Sequence, residues 1–195
     1  MKNKIILASR SGVREKILRN NGLECEVVPA DIDEDSVKVA LLGRGVNPTE
    51  ISKNLAELKS IKISNKNQNK YVLGADSVID FNGELISKPK DRNEAFNTLK
   101  KMNGKTHHLV SSVCISLNGA MIWSYTDASS LTMKELSFDE IKIYLKGIKD
   151  KELYAYGVYQ IEASGRFLFS KIEGDESTIM GLPIKPIKEY LNSTK

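Results

Sequence analysis

Apolar residues along this chain change period several times, and each change marks an element. Ile5, Ile6 and Leu7 form a short β-prone run; Val13, Ile17 and Leu18 then recur at helical spacing among Arg14, Glu15, Lys16 and Arg19. The spacing predicts a strand, a polar Ser-Arg-Ser-Gly loop and a helix stopped by Asn20, Asn21 and Gly22. "LECEVVPADIDED" reads as a strand running into an acidic loop. "NPTEISKNLAELKSIKI" reads as a helix with Asn47 as cap, Pro48 at its first position, and Ile51, Leu55, Leu58 and Ile61 on one face. "KYVLGADSVIDFNGELISKP" predicts a hairpin turning at Asn82-Gly83, and "DRNEAFNTLKKM" a helix capped by Asp91 with Glu94. A second, longer hairpin is expected around Asn118-Gly119, then a helix opened by Ser137 and Glu140 and ended at Gly147. The remainder predicts strands and Gly-rich turns before a short C-terminal helix.

Strands alternating with helices and interrupted by hairpins imply an α/β protein on a mixed, twisted β-sheet flanked by helices. With no internal repeat, low-complexity tract or linker, residues 1–195 read as one domain. A formal charge of +4 is spread along the chain without a polybasic tract, which favours a small anionic ligand over nucleic acid. Cys25 and Cys114 are isolated and fit buried, reduced thiols, and no segment has the length of a membrane span, so a cytoplasmic protein is expected. Trp123 and Tyr125, at alternate positions of a strand, fit a core or an interface.

Four polar features fall at strand ends or in the loops that follow, where α/β proteins tend to place ligands. The 9–14 loop offers Ser9, Ser11 and Arg14 beside a helix start whose N–H groups and dipole attract anions. Its glycine spacing fits neither the P-loop nor the dinucleotide fingerprint. Asp31, Asp33, Glu34 and Asp35 are hard oxygen ligands suited to Mg²⁺ or Mn²⁺. Asp76 follows an apolar strand and a Gly-Ala pair, where burial without a cation or donor is costly. Lys59 and Lys88 add cations; each also fits an ordinary surface lysine.

In order and spacing, "LASRSGVR", "DIDE", "LAELK", "GADSV", "SKPKDRNEA", "NGKTH" and "IEGDESTIMGLP" resemble the Maf (septum-formation inhibitor) family over nearly the whole chain. The resemblance implies the fold of the Maf and inosine triphosphate pyrophosphatases, and hydrolysis of a nucleoside triphosphate to a monophosphate and pyrophosphate with a divalent cation. It implies Asp76 as general base, Glu34 and Asp76 near the metal, and Ser9, Arg14, Lys59 and Lys88 around the triphosphate. A homodimer acting on a small-molecule nucleotide, without nucleic acid or membrane, is implied as well.

The chain departs from the family pattern at Gly12 and Val13, where a proline and an arginine are usual, and at Ser77, where threonine or glutamine is usual. Glu162 stands where relatives acting on dTTP and UTP carry glutamine, which resembles the 7-methyl-GTP branch. A carboxylate there can accept from the N1–H and amine of guanine and favours a cationic base. His107 lies on the "NGKTH" landmark and reads as structural; Asp175 and Glu176 read as solvated loop residues. The rival readings are a non-catalytic nucleotide-binding regulator of cell division and a phosphatase releasing orthophosphate.

Overall fold

The computed structural model describes residues 5–161 and 163–194. Seven strands form one mixed sheet in the order β2-β1-β3-β5-β6-β7, with short β4 beside β3. Strand β1 (Ile5–Leu7) lies parallel to β2 (Cys25–Val27) and to β3 (Val72–Phe81). From there the sheet is antiparallel: β3 pairs with β4 (Glu84–Ile86) and β5 (Thr106–Leu117), β5 with β6 (Ala120–Met133), and β6 with β7 (Phe169–Glu173). Both hairpins turn at the expected dipeptides. Asn82 and Gly83, and Asn118 and Gly119, all have positive φ, as tight turns matching strand twist require.

The helices follow their caps. Helix α1 (Gly12–Asn20) starts at Ser11, α3 (Pro48–Ser64) at Asn47, α4 (Arg92–Met102) at Asp91, and α5 (Phe138–Lys146) at the reciprocal Ser137/Glu140 box. Three α-helices were not legible in the sequence, one in the expected acidic loop and two in the C-terminal part before the expected last helix. The expected acidic loop holds α2 (Glu34–Leu42), whose Asp33 caps Ser36 N and in which no residue is buried, leaving little periodic signal. The C-terminal part carries one strand, β7, rather than several; around it lie α6 (Asp150–Tyr156), a 3₁₀ turn (Ser164–Leu168), α7 (Glu176–Ile179) and α8 (Ile184–Ser193).

Alternation along β3 sorts its side chains between two layers. Leu73 and Ala75 join Ile5, Leu7, Val113 and Ile115 in an apolar cluster with Ile17 and Leu18 of α1 and Ile187 and Leu191 of α8. The opposite face, carrying Gly74 and Asp76, meets α3. The approach is close enough to need glycine: a Cβ on Gly74 would lie 2.1 Å from the Ala56 carbonyl oxygen. A further cluster, built from α4, α5, α6, Leu131 and Phe169, fills the other end of the sheet. Between the two ends a cleft of about 810 Å³ opens over the end of β1 and the middle of β3. Cys25 and Cys114 are buried, outside any disulfide. Trp123 is half-buried, stacked on Tyr125 and Tyr190 at 6.2 and 4.9 Å and packed against the first cluster, while Tyr125 is exposed.

Candidate active site

The tight seating of α3 on Gly74 determines what meets what in the cleft. Ser52 Oγ donates to the Asp76 carbonyl at 3.1 Å, and two turns further along α3 Lys59 reaches the Asp76 side chain. Lys59 Nζ lies 2.7 Å from Asp76 Oδ1 and 2.8 Å from Glu34 Oε1, so a buried ammonium bridges two carboxylates from β3 and α2. The second oxygen, Asp76 Oδ2, is buried with no hydrogen-bond partner among the described residues. A carboxylate oxygen left so is costly unless something else approaches it.

Burial decides the protonation of the pair. Desolvation pushes Asp76 above the usual carboxylate range and outweighs the attraction of Lys59 and Arg14. Glu34 is less enclosed; desolvation acts upward there too, but Lys59, Lys38 and Lys88 together hold it below the ordinary value. Lys88, in the loop after β4, is pulled down by desolvation and then by Lys38. The two carboxyl groups are therefore pushed apart, with Asp76 the more basic of the pair, a pattern that suits a base beside a more acidic neighbour.

The start of α1 forms the adjacent wall. Ser9 is buried, and its Oγ accepts from Ser11 N and from Arg14, both at 3.2 Å. Ser11 caps the helix, while Gly12 and Val13 open it with N–H groups that have no acceptor among the described residues. Arg14 is enclosed, and desolvation lowers its pKa. Its guanidinium donates to Ser9 Oγ, to the Ala75 and Gly181 carbonyls and to Ser77 Oγ, with Ser77 in turn linked to Ser111 at 2.9 Å. Most of its donors are thus committed to the protein. Arg14 pins α1, β3 and the 174–181 segment together at the cleft floor.

Ser9, Ser11, Val13, Arg14, Glu34, Lys59, Asp76, Ser77 and Lys88 all line this one cleft. Glu162 lies outside the described residues. The acidic run divides: Glu34 faces Lys59, Asp31 pairs with Arg10 at an exposed site at 2.6 Å, and Asp33 is spent on the α2 cap. Asp175 caps α7 through Ser177 N and Thr178 N and is not part of the cleft lining. Sequence reasoning missed Lys38 and the cleft residues Tyr154, Tyr159 and Gln160. Lys38 rides on α2, and the only signal for that helix was the Asp33/Ser36 cap.

No group of three or more His, Cys, Asp or Glu among the described residues is arranged to hold a metal. Glu34 and the unpartnered Asp76 Oδ2 nevertheless fit a Mg²⁺-type ion, which takes one or two carboxylates and completes its shell from substrate phosphates and water.

The family model described as Maf-like protein matches residues 4–194. The chain belongs to the Maf family. A Maf relative from Pelagibacter ubique (strain HTCC1062), named nucleoside triphosphate pyrophosphatase, is 65% identical over 195 residues, covering 100% of both chains. One from Brucella suis biovar 1 (strain 1330), named 7-methyl-GTP pyrophosphatase, is 38% identical over 98% of this chain and 96% of its own. The Staphylococcus aureus Ham1 protein superposes with a TM-score of 0.48 at 15% identity, over 98% of this chain and 100% of that one. No helix among the described residues is long and apolar enough to cross a membrane.

Proposed function

We propose that this Maf protein is a nucleoside triphosphate pyrophosphatase, hydrolysing a triphosphate to the monophosphate and pyrophosphate. The observation that carries the reading is the Lys59 bridge between Glu34 and Asp76, with Asp76 Oδ2 buried, unpartnered and facing a cleft walled by a helix start. The full-length likeness to a relative bearing that name supports it.

Water attacks the α-phosphorus and gives a proton to Asp76 Oδ2, the bond to the β-phosphate oxygen breaks, and pyrophosphate leaves with the electron pair. Lys59 holds Asp76 and Glu34 in place and offsets their charge. Ser9, the free N–H groups at the start of α1, and Lys88 receive phosphate oxygens, while Arg14 fixes the floor beneath them. A divalent ion would be held by Glu34 beside Asp76, with phosphate oxygens and water completing its shell, and would supply charge neutralisation while Asp76 Oδ2 takes the proton.

The substrate favoured within this reading is a modified purine triphosphate such as 7-methyl-GTP. It is supported by the relative of that name, by the apolar residues Val13, Ile79, Ile86 and Leu109 in the cleft lining, and by a glutamate at position 162. By family likeness the protein acts in the cytoplasm as a homodimer. Product analysis tests the whole reading: with Mg²⁺ or Mn²⁺, dTTP, UTP, CTP, GTP and 7-methyl-GTP are supplied and pyrophosphate is scored against orthophosphate. Pyrophosphate from 7-methyl-GTP above the others supports both parts. A preference for dTTP or UTP overturns the substrate, and absence of pyrophosphate from every triphosphate overturns the activity.

A further inference from the structure

On the side of the cluster built from α4, α5 and α6, to which Val158, Tyr159 and Ile161 belong, the cleft wall is irregular chain. Residues 157–161 line the cleft, and a pocket of about 40 Å³ lies behind them against Tyr144 and Ile148, so this wall is a thin partition. Among the described residues its backbone is held at several points, the first being Gly157 N, which donates to the Leu153 carbonyl at 3.0 Å. Ala163 N and Gly165 N donate to the Gln160 carbonyl, both at 3.1 Å, and Tyr144 Oη donates to the Val158 carbonyl at 3.3 Å. One more anchor comes from the sheet: His107 Nε2 lies 2.7 Å from Tyr159 Oη.

His107 is fully buried at the start of β5, its ring tilted against Tyr159 and Phe169 at 5.6 and 5.7 Å. His107 Nδ1 has no partner among the described residues. Counting unsatisfied donors and acceptors together assigns the tautomer. With the proton on Nδ1, Tyr159 donates its O–H to Nε2 and one donor is left unsatisfied; with the proton on Nε2, the Tyr159 O–H and Nδ1 are both left unsatisfied. Tyr159 therefore donates to a neutral His107. Burial favours the same state by pushing the imidazole down to about 4 and the Tyr159 phenol upward.

We infer that His107 is a positioning residue for the nucleoside: by accepting from Tyr159 it fixes the wall at 157–161 against which base and ribose lie. It touches no substrate itself. The role rests on the nucleotide reading above and extends it to a residue that acts through its bond to Tyr159.

The test separates the nucleoside end from the phosphate end. GMP, UMP and inorganic tripolyphosphate are titrated by calorimetry into wild type, Tyr159→Phe, His107→Gln and His107→Phe, with Tm followed in parallel. Loss of the bond is expected to weaken GMP and UMP binding about 3- to 10-fold and to shift their ratio, in Tyr159→Phe and His107→Phe alike. Tripolyphosphate affinity stays at the wild-type value, and His107→Gln, which keeps an acceptor, regains part of the loss. Tyr159→Phe is the variant least able to disturb packing, so its binding data decide. Unchanged GMP and UMP binding in a folded Tyr159→Phe protein, or tripolyphosphate affinity falling in step with theirs, overturns the proposal. Wild-type protein that binds GMP and UMP but releases no pyrophosphate overturns the activity and leaves this role standing.

Discussion

Lys59 Nζ and Asp76 Oδ1 stand 2.7 Å apart in the buried floor of the cleft, and the contact exists because α3 and β3 touch backbone to backbone at Gly74. The pair is more than a salt bridge holding two elements together. Lys59 also carries Glu34, so removing either partner has a different result. Asp76→Asn takes away the proton acceptor but leaves Lys59 with Glu34. Turnover is expected to fall roughly a hundred- to ten-thousand-fold with little change in Tm. Lys59→Met strands a buried carboxylate beside a second one and is expected to cost about 3–5 kcal/mol of stability as well as activity. Steady-state rates and thermal melts of the two variants check both expectations.

The pH profile follows from the burial of Asp76. A general base works deprotonated, so kcat/KM rises as pH climbs through its pKa. Desolvation raises that pKa despite Lys59 and Arg14, so the acid limb is expected to bend above the ordinary 3.8 of an aspartate. Glu34 is shifted the other way, below its ordinary value by Lys59, Lys38 and Lys88 against the upward pull of desolvation. A limb bending at or below 3.8 would place the proton acceptor elsewhere.

Stability has its own acid dependence, through His107. Its folded-state pKa is lowered from 6.5 to about 4, so the unfolded chain binds the proton more readily. The sign is therefore loss of stability as pH falls through this window, by about 1.4 kcal/mol per unit at most. Above pH 6.5 the contribution is constant. His107→Phe is expected to flatten the dependence between these limits, measured by urea unfolding at intervals of pH.

How much of this was legible before the fold was known depended on whether a residue signals its own surroundings. Caps and turn dipeptides do: Asn47, Asp91, Ser137, Asn82-Gly83 and Asn118-Gly119 fixed helix starts and hairpins because the side chain itself makes the bond or takes the positive φ. Asp76 was legible because a carboxylate after an apolar run needs a partner. Helix α2 was not, since a helix with no buried residue has no apolar stripe, and Lys38 was lost with it. Likewise, nothing near Arg14 in sequence shows that its guanidinium is bound to Ala75, Ser77 and Gly181, contacts made only when distant segments meet. His107 and Tyr159, separated by 52 positions, are invisible as a pair for the same reason.

Gly74 is where the sequence has least freedom. The Cβ of an alanine there would lie 2.1 Å from the Ala56 carbonyl and 2.8 Å from Ser60 N, both backbone atoms that cannot rotate away. Gly74→Ala must therefore push α3 off the sheet, carrying Lys59 away from Asp76. A loss of about 3 kcal/mol is expected, together with a fall in kcat larger than the rise in KM. A variant with wild-type melting would show that α3 is not seated as described.

Gly12 presents the opposite case, a position where the chain has freedom it does not use. It is the first residue of α1, it has no positive φ, and a Cβ there meets nothing within 4 Å. Its N–H has no acceptor among the described residues, and the preceding Ser11 has φ −75° and ψ 111°, the extended conformation that a following proline requires. Proline at this position removes an unneeded donor and restricts the unfolded chain. Gly12→Pro is expected to raise stability by about 0.5–1 kcal/mol. The same variant reports on the phosphate wall: if the Gly12 N–H receives a phosphate oxygen, KM rises while Tm climbs; if only its neighbours do, KM holds. A drop in Tm would mean that the start of α1 is not the preformed helix terminus on which the triphosphate reading depends.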